Sequence, residues 1–134
     1  MRPEDALQIS VVDYLTRNNL FAFHIKNQGK WSAAYGAKLK RMGRKAGMPD
    51  LQVIAPQSDK LPRGILMIEC KAPPKRRRNG RLSQALPRVD KEQQDMMAQL
   101  AALGIPTLII RSLDDLELAL IGLGVAVKTR SRLA

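Results

Sequence analysis

Residues 107 to 111 read Thr-Leu-Ile-Ile-Arg, nearly all apolar and too short for a stable helix. Such a run suits a strand buried on both faces. A strand of that kind has to sit in a sheet with helices packed against it, so the rest of the chain must supply those layers.

The periodicity of the other segments does so. Residues 4–17 carry Leu7, Val11, Tyr14 and Leu15 at helical spacing, with Ile9 and Val12 widening the stripe, and Asn18-Asn19 ends it. Residues 21–26 (Phe-Ala-Phe-His-Ile-Lys) read as a strand, followed by a Gly-containing basic loop with a short helix near 37–41. Gly47-Met48-Pro49 breaks the chain before a strand over 50–55. The polar connector 56–63 leads to a strand over 64–71, and the two strands are expected to pair as a hairpin. Residues 72–87, with Pro73, Pro74 and Pro87, read as a loop or arm. Asp90 suits the N-cap of a helix to Leu103, with Met96, Met97, Leu100 and Leu103 as its stripe and Gly104 as its stop. Ser112 caps a last helix through about Ile121. The expected fold is α/β, a sandwich around a mixed sheet.

Few catalytic chemistries remain open to this chain. Cys70 is the single cysteine and His24 the single histidine, so an internal disulfide, a Cys-rich zinc site and a two-imidazole mechanism are excluded within one chain. Catalysis must run on carboxylates, Lys and an oxygen-ligated metal. Glu4 and Asp5 stand where a signal peptide needs an apolar segment. The longest apolar run, ten residues over 118–127, is half of the roughly 20 needed to span a bilayer. The expectation is a cytoplasmic protein with no membrane partner.

Charge narrows the partner. Twenty-three Lys and Arg stand against 12 Asp and Glu, a formal net charge of +11. Between residues 26 and 48 lie Lys26, Lys30, Lys38, Lys40, Arg41, Arg44 and Lys45 with no acid at all. Between 71 and 91 lie Lys71, Lys75, Arg76, Arg77, Arg78, Arg81, Arg88 and Lys91 against Asp90 alone. A third cluster, Lys128, Arg130 and Arg132, occupies a basic tail over 128–134. Single charge runs are often mere solvated surface. Two acid-poor runs bracketing the same few carboxylates point instead to nucleic acid, held through its phosphates with steep salt dependence.

Those carboxylates form the chemical constellation. The strand over 64–71 is apolar until Glu69-Cys70-Lys71, and alternation puts Glu69 and Lys71 on one face. The start of one hairpin strand lies near the end of the next, so Asp50, Glu69 and Lys71 can converge. Two carboxylates with a phosphate oxygen and waters suit Mg²⁺ or Mn²⁺ rather than zinc. Lys71 would position the attacking hydroxide and stabilise charge on the phosphoryl oxygens. His24 reads as structural, and Trp31 and Tyr35 as ordinary packing ahead of base stacking.

Gly47-Met48-Pro49-Asp50-Leu51 followed by Ile68-Glu69-Cys70-Lys71 resembles the PD-(D/E)XK nuclease superfamily, and more closely its VRR-NUC branch. Glu4-Asp5-Ala6-Leu7-Gln8 is similar to the branch's Glu-x-x-hydrophobic-Gln opening, and Asn27 with Gly29 to its Asn-containing segment. The resemblance implies a restriction-endonuclease-like core: a central mixed four-stranded sheet flanked by helices in αβββαβ order, with a C-terminal helix. It implies Asp50, Glu69 and Glu4 at the metal and Gln93 at the start of the next helix, with Gln94 and Gln84 as rivals. Two departures are the long connector between Asp50 and Glu69 and a basic insert over 75–81, within the loop 72–89, read as a DNA clamp or a solvated arm.

The resulting expectation is one nuclease domain over 1–127. It would hydrolyse DNA phosphodiesters with Mg²⁺ or Mn²⁺, through catalytic Glu4, Asp50, Glu69, Lys71 and Gln93. By resemblance it would be selective for branched DNA such as four-way junctions or flaps, act as a homodimer, and suit a phage or mobile element. The apolar stretch 113–127 would complete the core or supply a dimer interface. The alternative is a basic nucleic-acid-binding protein with a vestigial site.

Overall fold

The computed structural model describes residues 1–25, 31–72, 78–80 and 89–128. Helix α1 (Pro3–Arg17) opens on Pro3 in its first turn, where the missing N–H costs nothing, with Glu4 and Asp5 at the positive end of the helix dipole. Strand β1 (Phe21–His24) follows, then α2 (Ala33–Arg41), β2 (Leu51–Ile54), β3 (Ile65–Cys70), α3 (Lys91–Ala102), β4 (Thr107–Ile110) and α4 (Leu113–Gly122). Asp90 and Ser112 cap α3 and α4, accepting from the amides of Gln93 and Asp115. Gly104, at φ +83°, turns the chain after α3.

The strands form one sheet in the order β1-β2-β3-β4. The first three run antiparallel as a meander, while β3 and β4 are parallel and joined through the segment that contains α3. The sheet is therefore mixed and helix-flanked, as expected. Leu66, Ile68 and Cys70 on one face of β3 join Leu51 and Val53 of β2 in a core closed by Val11, Tyr14 and Leu15 of α1 and Leu116 and Leu120 of α4. Met67 and Glu69 lie on the opposite face and are also buried.

This layout reverses one expectation. The strand buried on both faces is β3, whereas β4 lies at a sheet edge and buries only Ile110. Apolar composition cannot distinguish an interior strand from an edge, because strand order is set by long-range pairing. Other elements shift in smaller ways. The helix expected near 37–41 is nine residues long and starts at Ala33, where the Ser32 side chain caps it. In the α3 stripe Met96 is buried, but Leu103 falls past the helix end and is largely exposed. The polar connector contributes Leu61, fully buried beyond a tight Ser58–Leu61 bridge. In the segment 113–127, Leu116, Leu120 and Val125 complete the core, while Leu118 and Ile121 face outward. No helix among the described residues is long and apolar enough to cross a membrane.

Candidate active site

The hairpin register decides where the carboxylates meet. Leu51 pairs with Ile68, so the next opposed positions are Asp50 and Glu69, direct cross-strand neighbours at the end of the ladder. Asp50 is locked there from both sides. Its carbonyl accepts from the Ile25 amide at 2.8 Å, and its Oδ2 accepts from the Cys70 amide at 2.8 Å. Opposed like charges on adjacent strands repel. Burial first, and then the charge of Asp50, push the Glu69 carboxyl up to about 8. Burial and the same carboxylates raise the Cys70 thiol to about 12, so Cys70 is an inert core thiol rather than a nucleophile.

Lys71 offsets part of that crowding. Its Nζ lies 3.8 Å from Glu69 Oε1 and donates to Gln93 Oε1 at 3.2 Å. Gln93 bridges the pair, because its Nε2 donates to Glu69 Oε1 at 3.3 Å. A local device aims that side chain. Gln93 is the third residue of α3, and its Oε1 also accepts from the Asp90 amide at 3.1 Å while Asp90 accepts from the Gln93 amide at 2.8 Å. This reciprocal capping box holds the amide group at the helix entrance. The rival Gln94 turns away to the Val89 carbonyl, and Gln84 lies outside the described residues.

Gly47 explains why the chain bends where it does. It has φ +78°, and a Cβ there would come within 2.4 Å of the Glu92 carbonyl oxygen. Only glycine permits both the left-handed backbone and this approach. The segment leading into Asp50 is thereby laid directly on the first turn of α3, which carries Gln93.

Glu4 reaches the same end of the sheet, its Oε1 accepting from the Ala72 amide at 3.4 Å, and its charge adds to the upward push on Glu69. All five residues singled out from the sequence thus gather at one place. Among the described residues, however, no three His, Cys, Asp or Glu side chains form a ready-made metal cage. The donors that stand side by side are the two carboxylates of Asp50 and Glu69.

Sequence reasoning gave no site role to Arg111, to Gln8, although it belongs to the Glu-x-x-hydrophobic-Gln opening, or to His24. Parallel pairing of Cys70 with Ile110 sets Arg111 beside Lys71, and its Nη1 donates to the Ala72 carbonyl at 3.4 Å. The signal was a basic residue closing an apolar strand, usable only once that strand's partner was known. Gln8 Nε2 and His24 Nδ1 lie 3.0 Å apart, and both border a cleft of about 480 Å³ that Glu4, Ile25 and Asp50 also line. His24, the last residue of β1, is exposed in that cleft.

Of the basic residues, Lys38, Lys40 and Arg41 lie on α2, Arg44 and Lys45 just beyond it, and Arg78 in an exposed turn. Lys26, Lys30, Lys75, Arg76, Arg77 and Arg81 lie outside the described residues, as do Asn27, Gly29 and most of the basic insert and tail. Trp31 and Tyr35 pack against each other, with Arg44 over the Trp31 ring.

No protein-family model and no curated protein matches the chain. Among solved structures it is similar to a VRR_NUC domain protein, with a TM-score of 0.62 and 22% sequence identity over 91% of this chain and 88% of that one. The chain therefore has the fold of a VRR_NUC domain: a mixed four-stranded sheet flanked by helices, with the Asp50–Glu69–Lys71 cluster at one end of its central strands.

Proposed function

We propose that this chain is a divalent-metal-dependent nuclease that hydrolyses phosphodiester bonds in DNA. The observation that carries the reading is the opposed Asp50–Glu69 pair with Lys71, in which Gln93 joins Lys71 to Glu69 and the Cys70 amide holds Asp50. Two carboxylates forced together, Glu69 buried and Asp50 bordering the cleft, are poorly satisfied by their own surroundings, and burial together with the Asp50 charge raises the Glu69 carboxyl. That donor set fits Mg²⁺ or Mn²⁺, which take one or two protein carboxylates and complete their octahedron with water and substrate phosphate. Asp50 and Glu69 would hold the ion, with Glu4 assisting. Bound there, it would supply Lewis-acid polarisation of the phosphodiester and a more acidic water.

The chain's own groups do the rest. The Lys71 ammonium stands where negative charge develops on the phosphoryl oxygens and stabilises it in a partly dry site. Gln93 fixes Lys71 relative to Glu69, so that the ammonium and carboxylate approach the substrate in one arrangement. Arg111, beside Lys71, adds a second positive charge. The basic runs on either side of Asp50 and Glu69 hold the DNA by its backbone, and so favour shape over sequence. A homodimer acting on branched DNA is part of the proposal by resemblance: one site in one domain over 1–127 would need a second copy to cut a second strand.

The test is direct. Labelled duplex, flap, single-stranded and four-way-junction DNA are incubated with Mg²⁺ or Mn²⁺ and with wild type, Asp50→Asn or Lys71→Ala. Wild type is expected to cut, fastest on branched substrates, and both variants to fail. Equal cutting by wild type and Asp50→Asn would overturn the assignment of the site, and binding without cleavage by wild type would overturn the enzymatic reading.

A further inference from the structure

Helix α2 stands apart from the rest of the fold. It buries none of its residues and, among the described residues, packs against no other helix or strand. A nine-residue helix without tertiary support is marginal in water, so local features must hold it. The Ser32 hydroxyl caps the N-terminus, accepting from the Tyr35 amide at 3.1 Å. At the other end Gly43, at φ +105°, turns the chain back. Its amide donates to the Lys40 carbonyl at 3.1 Å and the Arg44 amide to the Leu39 carbonyl at 2.9 Å, the paired bonds of a Schellman stop. The Arg44 guanidinium then lies 4.5 Å from the centre of the Trp31 ring, and Trp31 meets Tyr35 with 6.4 Å between ring centres. The Arg44–Trp31 contact thus joins the two ends of the segment 31–45.

Its surface is cationic. Lys38, Lys40, Arg41 and Lys45 are exposed, and residues 31–49 contain no acid. The cations of the last turn favour the helix through its dipole, but they give the core nothing. Apart from Tyr35, the first half of α2 is made of small residues (Ala33, Ala34, Gly36 and Ala37), and a Cβ at Gly36 would meet nothing within 4 Å. A bulky partner can therefore approach closely. Only residues 42–46 separate this helix from Gly47, which rests on the α3 turn bearing Gln93.

We propose that α2, with its Trp31–Tyr35–Arg44 clasp, is a docking arm for the sugar-phosphate backbone of a DNA duplex, tethered beside the carboxylate site. The choice of DNA as the polyanion rests on the nuclease reading; the arm itself rests on its isolation, its charge and its self-closure.

Trp31 is the sole tryptophan of the chain, so its emission reports on this arm alone. The full-length protein in EDTA, where binding is read without cleavage, is titrated at near-physiological salt with a labelled duplex of about 20 base pairs, enough to cover several phosphate contacts. A saturable change in Trp31 emission that tracks the duplex anisotropy is expected. The triple variant Lys38→Gln, Lys40→Gln, Arg41→Gln should bind at least about tenfold more weakly and lower the slope of log K against log salt by about 2 to 3, near 0.9 per lost phosphate contact. A charge-matched control, Arg17→Gln, Lys60→Gln, Lys128→Gln, should weaken binding by less than about threefold. Unchanged Trp31 emission at saturating duplex, equal weakening by the two triple variants, or the same response to polyglutamate would each overturn the arm. Binding of this kind by a chain that never cuts would sink the nuclease reading and leave the arm standing, whereas cutting without a Trp31 response would do the reverse.

Discussion

The Asp50–Glu69 end of the sheet and helix α2 are both dense in charge, yet they are built in opposite ways. At the sheet end each charged side chain is fixed by its surroundings: Asp50 by the Cys70 amide, Glu69 by its place on the buried part of β3, Lys71 by Gln93. Among the described residues helix α2 contacts no core element, and its caps and Arg44 on Trp31 support it. The difference fits the two tasks proposed for these regions. Bond cleavage needs groups held to within a fraction of an ångström, and hence a rigid support. Gripping a uniformly charged backbone needs only positive charge within reach.

The largest effect expected from that contrast is on rate. Asp50→Asn should lower metal-dependent DNA cleavage by about 10³-fold, the scale of losing one preorganised electrostatic group. The same variant should melt no lower than wild type without metal, because it removes the charge opposed to Glu69. Cleavage at the wild-type rate would break the comparison at its first half. Next comes stability. Leu66→Ala, on the buried face of β3, should cost about 3 kcal/mol in urea unfolding, whereas Leu39→Ala on α2 should cost roughly 1 kcal/mol or less. Equal costs would mean that α2 is part of the core after all.

Gly47→Ala tests the seam between the two regions. It places a methyl group against the Glu92 carbonyl in a left-handed conformation, and a loss of about 2 kcal/mol is expected together with reduced cleavage. A stable, fully active variant would show that this close approach does not position Gln93.

The pH dependence isolates Glu69. Its folded-state value of about 8 lies above its ordinary value of 4.5, so the folded protein holds that proton more tightly than the unfolded chain does. Stability of the metal-free protein should therefore fall as pH rises from about 4.5 to about 8 and level off above. The loss should be on the order of 2 kcal/mol, since relaxation and nearby solvent weaken the bare interaction. Glu69→Gln should flatten this slope in thermal melts across that range, and Mg²⁺ should restore wild-type stability at the alkaline end. An unchanged slope in Glu69→Gln would assign the titration elsewhere. The smallest effect is that of Asp90→Ala, about 1 kcal/mol from the lost cap, with a larger proportional loss of cleavage as Gln93 loosens. If only stability falls, the capping box does not serve the site.

Much of this was legible from residue types. The turn before Asp50, the apolar strand ending in Glu69 and Lys71, and the caps at Asp90 and Ser112 each depend on local backbone chemistry, and each is where the spacing puts it. Other features had no local signal. Periodicity alone did not give α2 its first four residues, because no buried face imposes a helical repeat on them. Arg111 and His24 became site residues only through strand pairing and the packing of α1. Leu61 looked like part of a polar connector until the turn at Ser58 folded it inward.

By itself the sequence determined the alphabet of the site: carboxylates, one lysine and a bridging amide, with no thiol or imidazole pair to compete, in a chain whose charge favours a polyanion. Tertiary structure alone decided that β3 lies inside the sheet and β4 at its edge, and that Asp50 stands directly opposite Glu69. It also bonded Gln93, the glutamine favoured by the sequence, to Glu69 and turned the rival Gln94 to the Val89 carbonyl. The physical reason is range. Caps, turns and alternation are set by neighbours along the chain, whereas strand order and register are set by which distant surfaces bury one another best, and no short stretch of residues carries that information.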